Sequence, residues 1–222
     1  MPKYEKDFDR NFRQWVNRTC KEWGYGNPPE NYYDKIYARL PSGLRTILGY
    51  GIAQGIILDA GRSKSGSAGF RPKGLPEMKG PYSWFERDNQ KKIPRPAWEY
   101  YIQISEYVRL IETFKGKNYE LKFEDDLMDI AVYRNRNILI CCEIKEKSRQ
   151  ASRLIGGIKV YETAKSLPSE DRGKDPLRKA KYIVKHRPAY FYIVSIGRRH
   201  EYRLEYPEGK QFEMVEDLIP FI

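Results

Sequence analysis

Two carboxylates and an amine stand out in the stretch Asp129-Ile-Ala-Val-Tyr-Arg-Asn-Arg-Asn-Ile-Leu-Ile-Cys-Cys-Glu143-Ile144-Lys145. Side chains on a strand alternate between faces, so Glu143 and Lys145 share one. Arg134-Asn135-Arg136-Asn137 reads as a tight polar turn between two strands, residues 129–133 and 138–145. A hairpin around that turn sets Asp129 opposite Glu143 near its open end, with Lys145 alongside. Three charged groups at the end of apolar strands cost desolvation energy, which a bound divalent cation and its waters would offset. The chemistry this predicts is Mg2+-assisted phosphodiester cleavage. The ion is held by one or two carboxylates plus substrate phosphate, activates a water and screens developing charge. Lys145 orients that water or helps to deprotonate it.

The flanking segments carry the periodicities needed to position such a hairpin. Residues 119–123 alternate as a strand before it, so three strands follow one another as a meander. Residues 96–114 are helical, with Tyr100, Tyr101, Ile104, Val108 and Ile111 on one face, and Gly116-Lys117-Asn118 breaks the pattern. Residues 148–164 and the strongly basic 176–185 read as helices, 189–196 as a buried strand and 201–206 as an edge strand. Upstream, helices are expected over residues 4–23, 29–39 and from about Pro41 towards Leu58. Between them and the core, residues 60–96 are rich in Gly, Pro, Ser, Lys and Arg, with an aromatic island at Tyr82, Trp84 and Phe85. This reads as a long basic loop, able to follow a phosphate backbone and stack on bases, or else a plain flexible excursion.

An acid heading one strand and Glu-x-Lys closing the next resembles the PD-(D/E)xK nuclease superfamily, which includes restriction endonucleases, Holliday-junction resolvases and repair nucleases. The resemblance covers roughly residues 96–196. It implies an α/β fold with a restriction-endonuclease-like mixed central sheet flanked by helices, here with a helical N-terminal elaboration. The expected division is residues 1–95, a helical region and basic loop packed on the core, and residues 96–222, the nuclease core. The resemblance makes Asp129 and Glu143 metal ligands, adds the Ile144 carbonyl to them, and gives Lys145 the nucleophilic water. It implies one or two Mg2+ per active site, with Mn2+ as a substitute. Met128 stands where the family often has proline, which weakens the match but removes no ligand. Many members add a glutamate from the preceding helix. The candidates are Glu99, Glu106 and Glu112: Glu106 ranks first on its separation from Asp129, although Glu112 lies nearer the apolar face. Asp125 and Asp126 are substitutes for Asp129, at a turn.

Composition agrees with a polyanionic partner. Among 222 residues, 41 Lys and Arg against 30 Asp and Glu leave a formal net charge of +11. Phosphate contacts are expected from Lys64, Arg71, Lys91, Lys92, Arg178 and Lys179. Three cysteines, two of them adjacent at Cys141 and Cys142, point to a reducing cytoplasmic setting and to packing rather than thiol chemistry. His186 and His200 are given no catalytic role. No run approaches the roughly eighteen apolar residues of a membrane span, so no membrane partner is expected.

The function expected is therefore that of a type II restriction endonuclease cutting double-stranded DNA, with a homodimer as the symmetrical way to cut both strands. A Holliday-junction resolvase or DNA-repair nuclease is the enzymatic rival. A non-catalytic nucleic-acid-binding module is the rival from another class.

Overall fold

A computed structural model describes residues 2–76 and 78–220. Among them are six helices and eleven strands, and the chain separates into two compact units, Met1–Arg109 and Leu110–Ile222. The fold is mixed α/β. No helix among the described residues is long and apolar enough to cross a membrane.

The first unit opens with α1 (Pro2–Trp23), α2 (Tyr32–Arg39) and α3 (Ser42–Ala53). The helical spacing of apolar residues in α1 buries Phe8, Phe12, Trp15 and Val16 together. α1 and α3 meet closely at Gly49, where a Cβ would stand 1.9 Å from the Tyr4 carbonyl oxygen, so no larger residue fits. Arg45 of α3 then reaches Glu5 at 2.5 Å and Asp9 at 2.9 Å. α3 stops at Ala53, short of the expected Leu58. Gly55, with φ of 63°, turns the chain into a strand.

The expected long loop over residues 60–96 is not one. β1 (Ile57–Arg62), β2 (Ala68–Pro72) and β3 (Tyr82–Ser83) form a three-stranded antiparallel sheet, and β4 (Phe85–Asp88) pairs with β5 (Ile93–Pro96) as a hairpin. The physical reason is aromatic burial. Trp84 stacks on Trp15 with ring centroids 4.6 Å apart, and lies 4.1 Å from Phe70 and 4.8 Å from Tyr101. Trp84 and Phe70 are fully buried and Phe85 nearly so. Trp84 and Phe85 therefore present no face to a nucleic-acid base. Tyr101 belongs to α4 (Trp98–Phe114), so this aromatic core draws the start of that helix into the first unit. The boundary accordingly falls within α4, rather than at the expected residue 95.

The second unit is built on a six-stranded sheet ordered β11-β10-β9-β8-β7-β6. The expected meander is β6 (Glu120–Asp125), β7 (Met128–Arg134) and β8 (Asn137–Ile144). β9 (Tyr190–Ser195) pairs parallel with β8, and its other neighbour β10 (Arg198–Glu205) is antiparallel. The parallel step requires a crossover, supplied by α5 (Ser148–Lys159) and α6 (Asp175–His186). α5 stops at Lys159, short of the expected 164. Leu154, Ile158, Ala180 and Ile183 of these helices cluster with Ala131, Cys141, Phe191 and Ile193 of the sheet. The edge strand β11 (Glu213–Glu216) has no counterpart in the sequence reading.

Candidate active site

The β7–β8 turn is set by Asn135 and Arg136, both with positive φ, 50° and 68°, the backbone that suits a two-residue hairpin connection. Next to the turn Arg134 pairs with Asn137 and Tyr133 with Ile138. The register then slips by one residue, so that Val132 pairs with Ile140 and Ile130 with Cys142. Continued one step, it brings Asp129 opposite Glu143. Without the slip Asp129 would face Cys142, and Glu143 would point to the other side of the sheet. The bulge in β8 thus brings the two acids onto one face. The backbone N–H of Ile144 donates to Asp129 Oδ2 at 2.6 Å, tying the strand ends together.

Glu143 is 1% exposed, and both its oxygens are engaged by ammonium groups. Lys145 Nζ lies 3.1 Å from Oε2, and Lys179 Nζ of α6 donates to Oε1 and also to the carbonyl of Leu127. Lys179 therefore departs from the exposed phosphate contact expected of it. At 6% exposure it is part of the charged cluster, because α6 turns it inward beside Ala180 and Ile183 while Arg178 stays exposed. The sequence carried a faint signal of this, since Lys179 lies four residues before Ile183 on the apolar stripe of α6.

Burial dominates the electrostatics. It raises the Asp129 carboxyl to about 6, against the lowering effects of the Ile144 N–H and the charges of Lys145 and Lys179. Burial, with the neighbouring charge of Asp129, raises Glu143 to about 7, against both lysines. Two ammonium groups thus do not offset the desolvation of the pair. Among the described residues no group of three His, Cys, Asp or Glu side chains gathers in a metal-binding arrangement. Mg2+, however, is commonly held by one or two carboxylates with water and substrate phosphate, so Asp129 and Glu143 fit it in number and in donor type. A cation entering here competes with Lys145 and Lys179 for the Glu143 oxygens.

The remaining candidates are placed as follows. Asp125 accepts hydrogen bonds from Tyr133 Oη at 2.5 Å and Tyr182 Oη at 3.2 Å, which ties it into the sheet-to-helix packing, and Asp126 is exposed in the turn before β7. Glu106 lies in the first unit, buried, with Oε2 3.5 Å from Arg109 Nε. Glu99 is exposed, and Glu112 lies 3.5 Å from Lys115, just past the end of its helix. Cys141 and Cys142 are buried free thiols. Lys64, Lys91 and Lys92 are exposed, whereas the Arg71 guanidinium donates to the carbonyls of Pro76 and Lys79 and so braces its own loop. A scan against protein-family models and searches among curated proteins and solved structures find no match to this chain.

Proposed function

We propose that the protein is an Mg2+-dependent endonuclease that hydrolyses DNA phosphodiester bonds, as a type II restriction endonuclease cutting duplex DNA. The observation that carries this reading is the cluster itself. Asp129 and Glu143 share one sheet face with Lys145 beside them, and both carboxyls stay above their ordinary range despite two lysines. Asp129, Glu143 and the Ile144 carbonyl are the groups that would hold the ion, with Mn2+ as an alternative occupant. Bound there, Mg2+ supplies a Lewis acid for the phosphate and lowers the pKa of a coordinated water. Lys145, partly exposed, is the group that would orient the attacking water, and it would take that water's proton only as the neutral amine, after giving up its own. Lys179 fixes the Glu143 carboxylate and the Leu127 carbonyl in place, acting on position rather than on the reacting atoms.

The restriction-type reading, against a resolvase or repair nuclease, draws support from the first unit, a second folded body in addition to the one that carries the cluster. Symmetrical cleavage of both strands calls for two centres and hence a homodimer. Incubation with supercoiled plasmid in Mg2+, with EDTA and Lys145→Ala as controls, tests it. Discrete fragments lost in both controls are expected. Mg2+-dependent nicking or cutting of branched DNA alone would shift the reading to a resolvase or repair enzyme. DNA retarded but uncut in Mg2+ and Mn2+ would overturn it.

One observation favours a non-catalytic nucleic-acid-binding module. Lys179 and Lys145 match Asp129 and Glu143 in number, so the cluster is charge-balanced without a metal when all four are ionised. Calorimetric titration with Mg2+ separates the two: the enzyme binds the ion through Asp129 and the module does not.

A further inference from the structure

We propose that a groove in the first unit, between α2 and the β4–β5 hairpin, binds the phosphodiester backbone of nucleic acid. It adds a second contact for the substrate class proposed above and in that respect rests on that reading. The groove has about 900 Å³ of space. One wall presents Lys35 and Arg39, one helical turn apart on α2 and therefore on one face, while Tyr32 and Ile36 of the same helix are buried. The other presents Lys91, Lys92 and Arg95 from the hairpin. Tyr32 Oη donates to the Pro94 carbonyl at 2.7 Å and ties the walls together.

The hairpin turn is built to display its lysines. Asp88 Oδ1 accepts from the backbone N–H groups of Gln90 and Lys91, at 3.2 and 2.9 Å, and the Lys92 N–H returns to the Asp88 carbonyl at 2.8 Å. Lys92 takes a φ of 49°, which completes the reversal. Asp88, the acidic residue among the described lining, has its carboxylate committed to that turn. Five basic side chains are thus gathered along one groove, with Lys35, Lys91, Lys92, Arg39 and Arg95 all exposed; Arg95 is paired with Glu86 across the hairpin, so the three lysines carry the excess charge.

The aromatic lining decides the mode of binding. Trp98 is 7% exposed, and the Arg39 guanidinium covers its ring at 4.2 Å from the centroid. The indole is therefore capped and offers no stacking platform. A groove with cations and no open ring follows phosphates and ignores base identity. Its binding is sequence-independent and steeply salt-dependent.

The test uses the full chain in EDTA, a fluorescein-labelled duplex of arbitrary sequence, and anisotropy across a salt series. The variant Lys35→Gln/Lys91→Gln/Lys92→Gln should bind at least about tenfold more weakly, with a log–log salt slope shallower by about 2 to 3. Lys35→Arg/Lys91→Arg/Lys92→Arg should keep the slope of the unaltered protein. An unchanged affinity and slope in the Gln variant overturns the proposal, as does an Arg variant as weak as the Gln one. Binding to anionic lipid vesicles but not to DNA overturns it too. The two readings fail separately. A protein that leaves plasmid intact but shows the Lys-dependent slope loses the nuclease assignment and keeps the groove, and one that cuts plasmid with no change in slope does the reverse.

Discussion

The two units spend burial in opposite ways. In the first, Trp15, Trp84, Phe70 and Tyr101 are packed ring against ring, and the apolar burial outweighs the cost of leaving Trp84 Nε1 and Tyr101 Oη without hydrogen-bond partners. In the second, Asp129, Glu143, Lys145 and Lys179 are gathered at the end of β7 and β8, and desolvation there pushes both acids well above their usual range. The aromatic cluster lowers the free energy of the fold. The charged cluster is held against its own desolvation by the packing around it, which makes its buried ionisable groups candidates for a site of chemistry. A tryptophan in a Gly- and Lys-rich stretch serves as an interior anchor, whereas a lysine in a basic helix can be turned inward onto a carboxylate.

The largest effect should fall on chemistry alone. Lys145→Ala should reduce plasmid cleavage in Mg2+ by at least about 100-fold while leaving the melting temperature nearly unchanged, because that side chain is partly exposed. A comparable loss of stability would mean that the cluster is structural. The mirror experiment is Trp84→Ala, which should cost about 3–5 kcal/mol in denaturant unfolding by opening a cavity among the rings of Trp15, Phe70 and Tyr101. A cost below about 1 kcal/mol would show that the aromatic core is not what organises residues 60–96.

Lys179→Met should be milder, costing about 1–3 kcal/mol, because Glu143 can take up a proton instead of remaining a buried, under-compensated anion. The cost should be greater at pH 8 than at pH 6, since Glu143 titrates at about 7. Equal costs at both pH values would remove Glu143 as the cause. The last effect concerns pH in the metal-free protein. The folded state holds protons on Asp129 to about 6 and on Glu143 to about 7, above their ordinary values of 3.8 and 4.5. Between those values the folded state binds more protons than the unfolded one. The stability these groups allow is therefore complete below about pH 4 and declines as pH rises to about 7. Asp129→Asn should flatten the earlier part of that decline in EDTA, as read from unfolding free energies at pH 4 and pH 6.

Much was legible in the residues themselves because it is local. The period of α1, the breaks at Gly24 and Gly116, the apolar run before Glu143 and the Asn135-Arg136 turn depend on neighbours a few positions away, and these elements lie where the sequence places them. So does the alternation that sets Glu143 and Lys145 on one face. What tertiary structure decided is non-local. The one-residue slip between Val132 and Tyr133 is a matter of strand pairing, and it sets whether Asp129 and Glu143 share a face at all. The strands in residues 57–96 form because distant rings from α1 and α4 need Phe70 and Trp84, and a composition of Gly, Ser and Lys conceals that demand. Lys179 reads as one cation in a basic helix until the helix is docked, and only then does its ammonium meet the buried carboxylate of Glu143. Sequence specifies periodicity and turn chemistry through adjacent residues, whereas register and burial depend on partners far away along the chain.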